Sequence, residues 1–488
     1  MASVLWLALH LPRLPLEVFQ RGLGRDTVTE SAAANDPSLL PLVVTAAPSV
    51  PRVLLPDAPA HRCGIQPGMA LSAAYALAPD LVARPRDLAL ETAALESLAL
   101  WAEQFTPAVS LAPPDALLLE IGGCLRLFDG LEALLERVRE GLAQLGFDAS
   151  LASAPTPTGA LMLARNGLEL HVTDLVALSR RLGQLPAGSI ETSAAITESL
   201  QRLGLRTLDD CLRLPRDGFA RRFGQDLVDQ LDRALGRLPD PRVPHVPPAR
   251  FASRLVLPVP VPDTDQILFG ARRLATELAG FLTGRGAGAT QLLFLLEHEA
   301  PPVTRIVLEL SMPNRDAAHF MVLLRERLAR LQLPGPVEAF SLHCTQTMQL
   351  APRNFSLFAT RETATEHRAE LVERLRARLG RQAVQGLVLV PEHRPELAFR
   401  EAEPGSAAPV PCDALRPFWL LATPRPIAAG ALEFLAGPER IESGWWDGND
   451  VRRDYYVAAQ QDGSRVWVYR HRDGTGEPER WFVHGLFG

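Results

Sequence analysis

The chain contains no lysine; all 50 of its basic residues are arginine. That absence excludes a Walker-type phosphate loop, a Schiff-base enzyme and a protein kinase, each of which depends on a lysine. The arginine usage reads as genome composition rather than function. Cysteine is scarce as well. Cys63, Cys124, Cys211, Cys344 and Cys412 stand far apart with no Cys-x-x-Cys, so zinc ribbons and thioredoxin-like centres lack their residues. The odd, dispersed set suits a reducing cytoplasm. No run of about 18 apolar residues occurs, so no membrane span is expected. Residues 1–16 are apolar, but they lack a basic leader region and Arg13 interrupts them. Gly-x-Ser-x-Gly and His-Glu-x-x-His are missing, and the 11 histidines show no zinc spacing. The net charge of -6 provides no global basic field, so any DNA contact rests on local arginine.

What is present is an ordinary globular composition, 47% hydrophobic and 22% charged over 488 residues. That length suggests about three to five domains. LWLALHL at 5–11 is a short apolar run closed by Pro12 and reads as a buried strand; ALLLEI at 116–121 and residues 147–153 read the same way. Asp87 to Phe105 has helical periodicity. Leu131, Leu134, Leu135, Val138, Leu142 and Leu145 predict a helix over 130–146. Strands alternating with helices predict an α+β sheet with helices on one face. Six prolines between residues 33 and 60 break any long helix there and mark a small irregular insertion. Residues 176–238 look all-helical, and a proline-rich linker covers 239–250. Residues 251–350 follow the order β-α-β-β-α-β. After a segment at 351–362 and a helix-strand extension at 363–402, a second linker at 403–412 leads to a module at 413–488. That module holds five of the seven tryptophans and three of the four tyrosines.

Several stretches resemble the Y-family translesion DNA polymerases. AHRCGIQPGM at 60–69, followed by AAYALAPDL at 73–81, is similar to that family's fingers. LHLPRLPLEVF at 9–19 and PPDALLLEIG at 113–122 are similar to its two catalytic strands. Thr207 to Gly236, with Pro215, Arg221, Arg222 and Gly224, resembles its thumb, and 251–350 its little finger. The resemblance implies an α+β multidomain fold built as a Y-family polymerase-like right hand. Its palm would be 1–32 with 85–175, its fingers 33–84, its helical thumb 176–238 and its little finger 251–350, and a C-terminal aromatic-rich module is added.

The departures matter more than the matches. The family's first two metal-binding aspartates fall on Pro12 and Leu14, and the Asp-Glu of its second motif falls on Asp115-Ala116. Its triphosphate contacts fall on Ala58 and His61, and its palm lysine near Pro157. Mg²⁺ takes oxygen ligands, which Pro and Leu do not offer. Only Asp115 is retained, and it reads as a turn or strand-start residue rather than a working metal ligand; Glu17 reads as solvated. The resemblance therefore implies no catalysis, no metal and no cofactor. SGWWDG at 443–448, RRDYYV at 452–457, Trp467 and WFVHGLF at 481–487 resemble the C-terminal signature of the ImuB family. These are the catalytically inactive Y-family members of bacterial damage-inducible mutagenesis cassettes.

That family implies a cytoplasmic, nucleoid-associated hub of a translesion-synthesis complex in SOS mutagenesis and DNA repair. Its implied partners are the β sliding clamp, a RecA-like partner of the ImuA type, an error-prone polymerase of the ImuC type and, weakly, damaged primer-template DNA. The clamp peptide Gln-x-x-Leu-Phe has a degenerate counterpart in Asn354, Phe355, Ser356, Leu357 and Phe358. Leu486-Phe487 is the competing anchor, whereas the Leu-Phe pairs starting at Leu127 and Leu268 are expected inside packed elements. Residues 205–350 hold 18 Arg against 16 acids, and Arg221, Arg222 and Arg285 are the phosphate candidates. Trp445, Trp446, Arg452, Arg453, Tyr455 and Tyr456 are the partner-binding candidates, or else the core of their own β-rich domain. Two other readings stand beside the hub. One is an active polymerase with rearranged ligands from Asp115, Glu120 and Glu17; the other is a clamp-binding decoy.

Overall fold

A five-residue apolar strand organises the first part of the chain. The structure is a computed structural model and describes residues 4–22, 40–46, 51–350, 361–406, 416–472 and 480–487. Strand β1 (Trp6–His10) runs into helix α1 (Leu14–Gln20), which takes Pro15 in its first turn, where no helical N–H bond is lost. A small three-stranded unit follows: β2 (Leu42–Thr45), β3 (Val53–Pro56), α2 (Ala58–Arg62), α3 (Leu71–Leu77) and β4 (Val82–Pro85). The chain returns through α4 (Leu88–Ala102), β5 (Val109–Ala112), β6 (Ala116–Glu120), α5 (Leu131–Leu145), β7 (Ser150–Ala154) and α6 (Pro157–Arg165). The palm sheet is antiparallel in the order β5-β6-β1-β7.

Helices cover both faces of this sheet, not one as the element order predicts. Alternation along the strands explains the difference. Leu7, Leu9, Leu117 and Leu119 pack with α4 and α5 on one face. Ala8, Ala116, Ala152 and Ala154 point to the other, where small side chains let α6 and the thumb approach. The thumb consists of α7 (Leu175–Gly183), α8 (Ala194–Arg202), α9 (Leu208–Leu212), α10 (Arg216–Phe223) and α11 (Gln225–Ala234).

The proline-rich segment that follows is a strap. Asp240 accepts from the Thr158 amide at 2.9 Å, the His245 amide donates to the Val109 carbonyl at 2.7 Å, and Arg285 donates to the Pro248 carbonyl at 2.7 Å. The little finger comprises β8 (Phe251–Val261), α12 (Thr264–Gly284), β9 (Ala287–His298), β10 (Thr304–Asn314), α13 (Ala317–Leu328) and β11 (Val337–Gln349), with sheet order β10-β9-β11-β8. Helix α14 (Arg361–Leu379) belongs with it: Ala377 enters the same core, and Glu373 accepts from the Ser311 amide and from His319.

The chain divides at 378/379 into two compact units. The second begins with the hairpin β12 (Gly386–Leu389) and β13 (Phe399–Ala402). It continues as β14 (Trp419–Ile427), β15 (Leu432–Ser443), β16 (Val451–Gln460), β17 (Arg465–His471) and β18 (Trp481–Leu486), an antiparallel sheet in the order β14-β18-β17-β16-β15. The expected boundary at 403–412 is therefore displaced. The cause is ionic: Glu392, Arg394 and Glu396, between the hairpin strands, bond to Ser443, Asp447 and Arg453. Among the described residues no helix is long and apolar enough to cross a membrane.

Palm and little finger share one buried charged cluster. Arg21, just past α1, pairs with Glu277 of α12, and both side chains are almost fully buried. Arg21 also donates to the Leu145 carbonyl at 2.8 Å and lies over the Phe147 ring. Glu277 accepts from Ser253 at 2.6 Å, and Ser253 meets Ser97 of α4 at 3.2 Å. Gly280 allows this approach: a Cβ there would lie 2.6 Å from Trp101. Removing one partner of a buried pair strands the other charge. Glu277→Ala should therefore lower stability by about 3–5 kcal/mol, whereas Arg21→Met/Glu277→Leu should lower it far less. Urea unfolding of the first transition measures both.

Candidate functional site

The register brings His10 beside Ala116 on one side and Ser150 on the other, so one end of the palm sheet gathers the positions singled out in the sequence. The Leu11 amide donates to the Asp115 carbonyl at 2.8 Å, which places Pro12 and Asp115 together. Pro12 is exposed, whereas Leu14 is fully buried in α1 and faces the core. Ala58 and His61 lie exposed on α2, and Pro157 opens α6.

Asp115 is already engaged. Arg165 donates to one of its oxygens at 3.1 Å, and His10 Nε2 lies 3.5 Å from the other. Arg165 also pairs with Glu191, in the thumb segment before α8. Arg165 is the last residue of α6, where the helix dipole favours a cation. Burial alone would raise the Asp115 pKa; the His10 hydrogen bond and the Arg165 charge outweigh it and hold the carboxyl below its ordinary value. A guanidinium thus neutralises Asp115. Among the described residues, no three His, Cys, Asp or Glu form a group that could hold a metal ion.

The other two acids do not converge on this point. Glu120 ends β6, five residues beyond Asp115 and roughly 16 Å along the strand. There it accepts from the amides of Leu5 at 3.3 Å and Gly122 at 3.0 Å. Glu17, expected to be solvated, is buried in α1 with 6% exposure, because its position on the helix turns it toward the palm core. It accepts from the Asp148 amide at 3.0 Å, and burial raises its pKa to about 7.

Arg221 and Arg222 are exposed on α10. Arg285 is not: besides its bond to Pro248 it lies 4.2 Å over the Phe281 ring. Residues 354–358 lie outside the described residues. The competing Leu486-Phe487 sits in the C-terminal sheet: Leu486 pairs with Trp419 and Val466, and the Phe487 amide bonds the Arg465 carbonyl at 3.0 Å. Leu127, expected to be packed, is 75% exposed on a short 3₁₀ turn, but Phe128 is buried against Phe105, so the pair cannot insert together.

The six aromatic and basic candidates of the C-terminal unit separate into two sets. Trp445, Trp446 and Arg452 are exposed. Tyr455 is fully buried, stacked on Trp467 at 4.0 Å and bonded through its hydroxyl to His484 at 2.8 Å, so it is core and presents nothing to a partner. Tyr456 packs against Phe434 and Trp481, and Arg453 reaches Glu396 and the Tyr455 hydroxyl. Sequence reasoning missed Arg165 and Arg394. Each meets its acid some 50 residues away in the chain, at 50 and 53 positions, which no local spacing signals.

The impB/mucB/samB family matches residues 29–165. Protein ImuB of Caulobacter vibrioides strain NA1000 / CB15N is 31% identical over 466 residues, covering 87% of this chain and 100% of that protein. ImuB of strain ATCC 19089 / CIP 103742 / CB 15 gives the same figures. Among solved structures, the Dbh ternary complex (16% identity, 71% of this chain and 100% of that chain, TM-score 0.38) and DinB from Sulfolobus solfataricus (17% identity, 70% and 98%, TM-score 0.38) are similar.

The buried Glu17 carries a pH signature. A folded-state pKa of about 7, above the ordinary carboxyl value, means the native state holds a proton that the unfolded chain has lost. Glu17 therefore weakens the fold progressively as pH rises from about 4.5 to 7, and by a constant amount above that. Glu17→Gln keeps the acceptor for Asp148 and removes the charge. It should raise the melting temperature at pH 8 and leave it nearly unchanged at pH 5, as differential scanning calorimetry would record.

Proposed function

We propose, for a chain that belongs to the ImuB family of Y-family polymerase homologues, a role without nucleotidyl transfer, as the hub of a translesion-synthesis complex. One observation carries this reading: Asp115, the retained carboxylate of the polymerase-like centre, is held by Arg165 and His10, with Pro12 and Leu14 where further acids would be needed. Two-metal phosphoryl transfer needs several acids holding ions about 3.5–4 Å apart. A metal here would have to displace a guanidinium and would still meet a single carboxylate. The rival polymerase reading draws on Glu120 and Glu17, and each of these is committed elsewhere.

In the hub, Asn354–Phe358 binds the β sliding clamp by inserting Leu357 and Phe358 into an apolar pocket. The thumb, with Arg221 and Arg222, makes weak phosphate contacts to primer-template DNA that carry no sequence information. The C-terminal unit holds a RecA-like partner of the ImuA type and an error-prone polymerase of the ImuC type. Tethering at the clamp then raises the local concentration of the active polymerase.

Purified protein should extend no primer with Mg²⁺ or Mn²⁺, and Leu357→Ala/Phe358→Ala should weaken clamp binding by about tenfold or more. Extension that disappears in Asp115→Asn would overturn the reading. Deleting residues 379–488, the whole second unit, separates hub from decoy. A hub then loses damage-induced mutagenesis in cells while clamp binding persists; a decoy keeps both its clamp binding and its competition with other polymerases.

A further inference from the structure

Helix α14 turns its leucines outward and a carboxylate inward. Leu371 and Leu375, one turn apart, are 57% and 36% exposed, whereas Glu373 is 6% exposed. Among the described side chains of α14 only Glu373 and Ala377 are buried. An ordinary surface helix does the reverse. A carboxylate taken out of water costs free energy unless it is paired and hydrogen-bonded, and Glu373 is both. One of its oxygens accepts from the Ser311 amide of β10. The other meets Nε2 of His319, on α13, at 2.6 Å. Beyond this pair, Arg374 lies 3.6 Å from Glu326 of α13 with most of its side chain in solvent, and Arg376 is engaged as well. An exposed pair of that kind adds little. The docking of α14 therefore depends on a buried ion pair more than on apolar packing.

The charges around His319 favour its cation. The hydrogen bond to Glu373 raises its pKa above the ordinary 6.5, burial opposes that rise, and Glu370 of α14 and Asp316 at the start of α13 add to it. The pair is at full strength below about pH 6.5 and weakens as pH rises through the folded-state value. The place of α14 in the chain gives this docking a consequence. The Leu350 amide donates to the Gly286 carbonyl at 2.9 Å and fixes the end of β11, and α14 begins at Arg361. Phe358 is three residues before that start and eight beyond Leu350. With α14 docked, Phe358 reaches no farther than roughly 11 Å from the helix; held from Leu350 alone, it reaches roughly 26–29 Å. A partner that takes Leu357 and Phe358 as an extended peptide gains room to approach once α14 lets go.

We propose that α14 is a releasable clasp: the Glu373–His319 pair docks it on the little finger, loss of the His319 proton loosens it, and its release extends the reach of residues 354–358 toward the sliding clamp. The link to the clamp rests on the function proposed above; the clasp itself does not. Hydrogen exchange of the full-length protein, corrected for the intrinsic effect of pH, should be several-fold faster across 361–378 at pH 9 than at pH 6, with β8 and β9 unchanged. Glu373→Gln keeps an acceptor for the Ser311 amide and removes the charge. It should exchange about tenfold faster than wild type across 361–378 at pH 6 and lose the pH difference. If Glu373→Gln lowers the first melting transition, His319→Gln replaces it. In surface plasmon resonance at pH 6, the variant should bind the purified clamp about tenfold tighter than wild type, and the gap should close at pH 9. Comparing the two proteins at one pH cancels the clamp's own titration. Exchange across 361–378 that is equal at both pH values and unaltered in the variant overturns the clasp. Faster exchange in the variant with unchanged clamp affinity at pH 6 overturns the link to the clamp. Wild type and variant that both fail to bind the clamp overturn the clamp reading, and exchange still decides the clasp.

Discussion

Glu277 is fully buried on the long helix of the little finger, and its two partners come from the palm and from the little finger's own sheet. Arg21 follows the first helix of the palm; Ser253 lies on the edge strand of the little-finger sheet and passes the contact to Ser97 on the palm's central helix. A carboxylate removed from water must find such partners, because its desolvation otherwise exceeds any local gain. The pair therefore ties the orientation of the little finger to that of the palm. Gly280 against Trp101 and the strap through Asp240, His245 and Pro248 follow the same seam. A proline-rich stretch that would act as a semi-rigid spacer by composition is instead bonded along its length.

The end of the palm sheet is set by an ion pair within the chain. At the end of the sheet the retained acid faces a guanidinium from the end of a helix, and that guanidinium also reaches the thumb through Glu191. The cation at this position is part of the chain. It needs no coordination geometry and no ion from solution, and it links palm to thumb where a metal would link enzyme to substrate.

The repeating patterns were legible in the sequence because they are local. The helix over 130–146 appears as Leu131–Leu145, and the β-α-β-β-α-β order of the little finger appears strand for strand. That Pro12 and Leu14 carry no metal-binding side-chain oxygen could also be read directly, since it depends only on residue identity. What could not be read were pairings across long stretches of chain. Glu17 looks like any amphipathic-helix acid until the fold turns it inward. The second unit begins at residue 379, not after 403–412, because of ion pairs from Glu392, Arg394 and Glu396, and nothing in the composition of 379–402 announces them. Tyr455 and Trp445 stand ten positions apart in one aromatic-rich segment, yet Tyr455 lies on β16 and is core, whereas Trp445 stands in the turn before that strand and is exposed.

The seam between palm and little finger also sets a schedule for synthesis. Arg21 and Glu277 are 256 positions apart, so the palm emerges from the ribosome long before its partner exists. At ordinary elongation rates that interval lasts roughly 13 to 50 seconds. Until it ends, the Arg21 guanidinium and, once made, the apolar surface around Trp101 lack their cover, and the N-terminal half of the protein waits as an unfinished domain, exposed to misassembly and to holding chaperones.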